Sequence, residues 1–148
     1  DRGVFRFVDI AVPNRVELQQ LTGVKIEGIE DVFRASEKLL EWGVKAVITT
    51  LGSRGAAIAT RDMRTVVRAF SVPAVDTTGA GDAFVAGLAV ALLENREIVD
   101  AVRFANAVAA LKITRMGAQS MPTRSEVEHF MESYRAPPAE PANRAPTW

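Results

Sequence analysis

Residues 75–94 read VDTTGAGDAFVAGLAVALLE. A glycine-rich turn runs into a single carboxylate, Asp82, and then into a long apolar stretch. Gly79 and Gly81 permit backbone conformations that aim successive N–H groups at one point, and a helix beginning near Asp82 adds its positive end there. Such a nest favours an anion, or a transition state that is gaining negative charge. Asp82 at its lip could take a proton from an attacking hydroxyl. A tight turn with Asp82 as a helix cap would account for the same letters. TTGAGD matches neither the P-loop pattern nor the dinucleotide fingerprint.

On either side the chain alternates between strands and helices. FRFVDIAVP (5–13) is an apolar run closed by proline and predicts a buried strand. NRVELQQLTG predicts a short helix capped by Asn14 and stopped by Gly23. EDVFRASEKLLEWG carries Val32, Phe33, Leu39, Leu40 and Trp42 on one face and ends at Gly43, the pattern of an amphipathic helix. VKAVITTLG is rich in β-branched residues and predicts a buried strand. GAAIATRDMRTVVRAF then reads as a strand, a turn near Arg61-Asp62 and a returning strand. Two helices follow, over 81–93 and 98–114, the second dense in alanine and suited to close packing. A final helix lies within TRSEVEHFMESY. Strand, helix, helix, strand is the order of an α/β sheet with helical crossovers. Residues 1–135 thus read as one domain, and the proline-rich stretch 136–148 as a disordered tail.

Composition narrows the function. The 148 residues are 48% hydrophobic and 24% charged, which describes a globular chain able to bury a core. Eighteen basic residues balance eighteen acidic ones, which argues against nucleic acid or an anionic membrane as partner. The chain has no cysteine, so disulfides, zinc thiolate sites and cysteine nucleophiles are excluded, and a cytoplasmic location is expected. No segment reaches the roughly 20 apolar residues of a membrane span, and no signal peptide is expected. The sequence starts without Met and reads as a piece of something longer.

Two further stretches carry candidate chemistry. In PNRVE, Asn14 and Glu17 have the spacing of a helix-capping pair. In TTLGSRGAA (49–57), two glycines, two threonines and Ser53 follow a buried strand, as in a nucleotide-binding loop or an ordinary hairpin loop.

The order of these segments brings in a resemblance. DTTGAGDAFVAGLAVALLE closely resembles the second signature of the ribokinase-like sugar kinases, the PfkB carbohydrate kinase family. VDIAVPNRVELQQLTG is similar to that family's Asn-x-x-Glu segment, VITTLGSRGAAIA to its nucleotide loop, and FANAVAALKITRMGAQSMPTRSEVEHF to its adenine-side helix and closing turn. The four matches stand in the family's order from Phe7 to Tyr134, and TRMGAQSMPTRSEV leans toward the ribokinase branch.

The resemblance implies a three-layer α/β/α fold and an ATP-dependent sugar kinase, with D-ribose, phosphorylated at O5, as the first candidate acceptor. It implies Asp82 as general base and Gly79, Ala80 and Gly81 as the anion hole for the transferring phosphoryl group. Asn14 matches a nucleotide-phosphate contact, Glu17 the acid that organises Mg²⁺, Thr50, Leu51, Gly52, Ser53, Arg54 and Gly55 the nucleotide loop, and Asn106 a contact at the adenosine end. A monovalent cation site (K⁺) would draw on Asp76 and Thr78, with Lys112, Arg115 and Gly117 through their backbones. GAQSMP is one residue shorter than the ribokinase pattern, which puts Ser120 as a ligand in question.

Family members carry a substantial N-terminal half ahead of the Asn-x-x-Glu segment, with the first strands, most sugar contacts and a β-lid. This chain matches only the C-terminal portion. The sheet is therefore expected to expose an unpaired strand edge and one apolar face, covered by a homo-oligomer or another partner. Fructokinase, 2-keto-3-deoxygluconate kinase and nucleoside kinase activities remain alternatives, as does a nucleotide-binding fragment without catalysis. His129 is expected on the surface.

Overall fold

The structure is a computed structural model that describes residues 2–117 and 119–135. After a 3₁₀ turn over Arg2–Phe7, the elements run β1 (Ile10–Ala11), α1 (Arg15–Thr22), α2 (Ile29–Glu41), β2 (Ala46–Thr50), β3 (Ala56–Ala59), β4 (Arg64–Val67), α3 (Ala80–Leu93), α4 (Ile98–Ile113) and α5 (Arg124–Ser133). The sheet order is β1-β2-β3-β4. β1 lies parallel to β2 across the α1–α2 crossover, whereas β3 and β4 return antiparallel as hairpins.

Alternation along β2 and β3 sorts their side chains into two cores. Val47, Ala57 and Ala59 face Leu18 of α1 and Val32, Phe33 and Leu39 of α2. Ile48, Ala56 and Ile58 face Phe84 and Leu88 of α3, the alanine-rich side of α4 and Val127 of α5. The result is the three-layer α/β/α arrangement that the family resemblance implied. Small residues set the α3–α4 spacing: a Cβ on Gly87 would stand 2.8 Å from Cγ2 of Val108.

Two expectations need correcting. The run 5–13 forms only the two-residue strand Ile10–Ala11, plus an isolated bridge from Asn14 to Thr50. Its first part winds into the 3₁₀ turn, where Phe5 packs on Trp42 at 5.4 Å while Phe7 remains exposed. Arg6 and Asp9 interrupt the apolar pattern and leave too few buried positions to extend the strand. Nor do the central strands offer a bare apolar face, because β2 and β3 are covered on both sides by helices. What remains open, among the described residues, are the two outer edges of the sheet, β1 paired with β2 alone and β4 with β3 alone. The expectation of a disordered stretch at 136–148 lies outside the described residues. No described helix is long and apolar enough to cross a membrane.

Candidate active site

Gly79 sits at the N-cap of α3 with φ 76°, a left-handed conformation that glycine adopts without strain. The Ala80 N–H turns back to the Thr77 carbonyl at 3.2 Å. The first helical bond comes from Ala83 N–H to Gly79 O at 2.9 Å. Between them, the N–H groups of Gly81 and Asp82 have no acceptor among the described residues, as expected for a first helical turn. They lie where the helix dipole is positive, a ready anion site. The Asp82 carboxylate is exposed in this turn and takes no cap hydrogen bond, and α3 has no side-chain cap at all. The capping explanation for Asp82 therefore loses its geometric basis.

At the start of α1 the opposite holds. Glu17 N–H donates to Asn14 Oδ1 at 2.9 Å, and Asn14 N–H donates to Glu17 Oε2 at 2.8 Å, a complete capping box. The box fixes both side chains beside the C-terminal end of β2, where Thr50 N–H donates to Pro13 O at 3.0 Å. One oxygen of Glu17, Oε1, takes no part in this exchange and is free to hold water or a metal ion. Glu17 borders a separate groove with Val12, Pro13 and Gln20.

The loop after β2 is a 3₁₀ turn over Gly52–Arg54, with φ 62° at Gly52 and 98° at Gly55. Leu51 N–H donates to Gly55 O at 2.8 Å, so the loop closes on itself. Gly55 has a second reason to lack a side chain: a Cβ there would fall 2.0 Å from the Val67 carbonyl oxygen.

Two cavities meet at this loop. One, of about 390 Å³, runs from Thr50, Gly52 and Ser53 past Gly81 to an apolar wall of Phe70, Val72, Ala109 and Ile113. The other, of about 610 Å³, shares Thr50, Gly52, Ser53 and Gly81 and continues to Asn14, Arg15 and Arg54. Together they form a groove with an apolar end and a polar end joined at the α3 N-terminus. Asn106 borders the apolar end, where its buried amide donates to Val67 O at 3.2 Å and Arg68 O at 3.3 Å, fixing α4 to the end of β4.

The apolar wall was not among the candidates read from the sequence. Phe70 and the other phenylalanines read as core anchors, and Phe70 does pack against Phe130, tilted at 5.1 Å, and edge-on against Tyr134 at 4.8 Å. Arg15 at the polar end carried no motif of its own. His129 is exposed, as expected.

The loop before α3 and the turn after α4 are tied together. Asp76 Oδ1 accepts the Thr78 N–H at 2.9 Å, and Oδ2 accepts the Gly117 N–H at 3.0 Å. The Thr78 N–H and hydroxyl, then the Gly117 N–H and the charge of Lys112, hold the Asp76 carboxyl at about 2, below its ordinary 3.8. Val75 and Asp76 both donate their N–H groups to Ile113 O, at 2.7 and 3.0 Å. Ser120 Oγ donates to Gly117 O at 2.7 Å, and the Arg115 guanidinium pairs with Glu126 at 2.6 Å. The structure thus gathers Asp76, Thr78, Arg115, Gly117 and Ser120 around one loop junction, with Lys112 in the adjoining turn of α4.

A mixed sheet between two helical layers, with a groove ending at a glycine-opened helix N-terminus, defines an α/β unit suited to an anionic ligand with an apolar head. The model of the pfkB family carbohydrate kinases matches residues 2–124, and the chain belongs to that family. It is 38% identical over 126 residues to the ribokinase of Haemophilus influenzae, which covers 84% of this chain and 41% of that protein. The structure of Arabidopsis thaliana ribokinase complexed with ribose and ATP superposes with a TM-score of 0.85 at 36% identity, over 89% of this chain and 43% of that one. A fructokinase double mutant from Vibrio cholerae, in a fructose-, ADP- and potassium-bound form, superposes with a TM-score of 0.73 at 34% identity, over 84% and 41% of the two chains. The chain spans about two-fifths or less of the length of the curated relatives it matches, from 23% to 41%.

Proposed function

We propose that the chain is the nucleotide-binding portion of an ATP-dependent sugar kinase that converts D-ribose to D-ribose 5-phosphate. The observation that carries this reading is the pairing at the α3 N-terminus: two N–H groups without acceptors among the described residues, beside an exposed carboxylate that caps no helix, where the groove's apolar and polar ends meet. A purine fits the wall of Phe70, Val72, Ala109 and Ile113, with Asn106 beside it, and the phosphates follow Thr50–Gly55 toward Gly81 and Asn14.

In this arrangement the acceptor hydroxyl gives its proton to Asp82 as its oxygen attacks the terminal phosphorus. The bond from that phosphorus to the bridging oxygen breaks, and ADP leaves. Charge on the equatorial oxygens falls on the Gly79-Ala80-Gly81 turn, through the Gly81 N–H and that of Asp82 beside it, since the Ala80 N–H is taken by the Thr77 carbonyl. Glu17, with its spare oxygen, would hold Mg²⁺ through water, and the ion when bound neutralises charge on the phosphates; one carboxylate suffices for a cation that keeps most of its waters. The absence of cysteine suits a reducing, cytoplasmic setting.

Release of ADP dependent on D-ribose, measured with this chain and with a longer chain that includes it, tests the reading. No release with ribose from either would remove ribose as acceptor. Release with fructose, 2-keto-3-deoxygluconate or a nucleoside would place the chain elsewhere in the family, and the fructokinase likeness makes fructose the first to try. Saturable ATP binding without turnover on any acceptor would favour a non-catalytic nucleotide-binding element, a reading that the partial coverage of its relatives keeps in view.

A further inference from the structure

Residues 68–79, between β4 and α3, form neither helix nor strand. Ala69, Phe70, Ser71, Val72 and Ala74 nevertheless supply one side of the cavity of about 390 Å³, so the shape of its apolar end depends on where this stretch lies. A stretch without a ladder keeps its place only where its backbone and side chains find partners. Both of its ends have them. The Asn106 amide holds the Val67 and Arg68 carbonyls, and the Ile113 carbonyl takes the Val75 and Asp76 N–H groups. Midway between those ties, the Ser71 N–H donates to the Tyr134 hydroxyl oxygen at 2.9 Å, across 63 positions of sequence.

Tyr134 follows α5 directly. Its ring meets Phe70 edge-on while Phe130, one turn earlier, packs tilted on the same ring. Phe70 is buried under this pair and still borders the cavity. One side chain thus holds two neighbouring residues by two means, its ring against Phe70 and its hydroxyl against the Ser71 N–H. The helix that carries it is itself fixed. Thr123 and Glu126 close a capping box, Glu126 pairs with Arg115, and Arg124 reaches Glu94 at the end of α3. Tyr134 does not itself line the cavity.

We propose that Tyr134 is a positioning residue for the apolar end of the groove: its hydroxyl and ring set where residues 69–74 lie, and with them how well that end holds the base of a nucleotide. The polar end is built from other elements, Asn14 and Arg15 at the start of α1 and the loop over Thr50–Arg54, so phosphate binding does not pass through Tyr134. Ser71 is exposed, and water takes the place of the hydroxyl when it is removed. The loss therefore falls on the order of the stretch and not on the stability of the fold. The inference rests on the kinase reading for what the cavity holds, and on these contacts alone for what Tyr134 holds.

The test compares the wild-type chain with Tyr134→Phe, which keeps the ring and removes the acceptor, by amide hydrogen exchange and by calorimetric titration with Mg-ADP and with magnesium tripolyphosphate, which has phosphates but no base. In Tyr134→Phe the Ser71 amide is expected to exchange faster while the amides of β2 and α4 keep their rates. Affinity for Mg-ADP is expected to fall by roughly threefold to tenfold, the worth of one hydrogen bond, with affinity for tripolyphosphate unchanged. Tyr134→Leu, which also removes the ring from Phe70, is expected to lose more of the ADP affinity and none of that for tripolyphosphate. An unchanged Ser71 rate would overturn the proposal, and so would an unchanged ADP affinity beside a faster one. Equal loss of both ligands would overturn it as well, since that is the mark of a purely structural residue. A wild type that binds neither ligand counts against the nucleotide reading, and the exchange comparison then decides on the wall alone.

Discussion

Gly117 donates its N–H to Asp76 Oδ2 at 3.0 Å, joining residues that stand 41 positions apart in sequence. The bond ties the turn after α4 to the loop that delivers the glycine-rich turn, so the placement of that turn depends on a carboxylate outside it.

That dependence gives a pH signature. The Asp76 carboxyl is held at about 2 in the folded chain, against an ordinary value of 3.8. A depressed carboxyl stabilises the fold above its unfolded value and loses that contribution as pH falls through the folded one. Stability should therefore decline between about pH 4 and pH 2, and Asp76→Asn should flatten part of that decline while lowering stability near neutrality. Glu126, held at about 2 by Arg115 and Thr123, titrates in the same window, so some slope will survive in the variant. Urea midpoints measured across this range for both proteins check the expectation; superimposable profiles would contradict it.

The two glycines of the loop after β2 should differ in what they tolerate. At Gly52 an added Cβ meets nothing within 4 Å, so alanine there suffers only its left-handed backbone, roughly 1 kcal/mol. At Gly55 the same atom falls 2.0 Å from Val67 O and 2.5 Å from Ala69 N, both backbone. Alanine there must spread the loop from the end of β4, at a cost above about 2 kcal/mol. Chemical denaturation of Gly52→Ala and Gly55→Ala decides; equal losses would mean that the loop is looser than its geometry indicates.

The outer edge of β1 presents the backbone groups of the half-buried Ile10, whereas those of Ala11 face β2 in the parallel ladder. Strand edges of this kind recruit other strands. The chain should accordingly self-associate at micromolar concentration, and a proline at position 10, whose N–H faces outward, should reduce that association more than a proline at the exposed position 7. Sedimentation velocity reads the difference. A monodisperse monomer for the wild type would show that the short strand is self-sufficient.

The sequence made the layer pattern legible because its signals were local. Asn14 and Glu17 announce a capping box at their spacing, Gly23 and Gly43 mark helix stops, and the alanines of α4 announce close packing on Gly87. The extent of β1 was not legible, because the apolar letters at Phe5 and Phe7 belong to a 3₁₀ turn whose partner, Trp42, lies far along the chain. At the site, the glycine turn and the threonine loop carried recognisable patterns. The wall of Phe70, Val72, Ala109 and Ile113 did not, since residues from a loop and a helix become one surface only after folding. Lys112 read as a backbone contributor, and the burial of its side chain is a tertiary fact without a local trace.

The role proposed for Asp82 is chemical, beside a formed nucleotide groove, and not that of a helix cap. Calorimetric titration of Mg-ATP into the wild-type chain and Asp82→Asn tests it most directly. Saturable binding of similar affinity by both, with transfer in an active longer chain falling by about 10²–10⁴-fold in the variant, is the predicted result. Loss of ATP binding together with loss of stability in Asp82→Asn, or no binding by a demonstrably folded wild type, would contradict it.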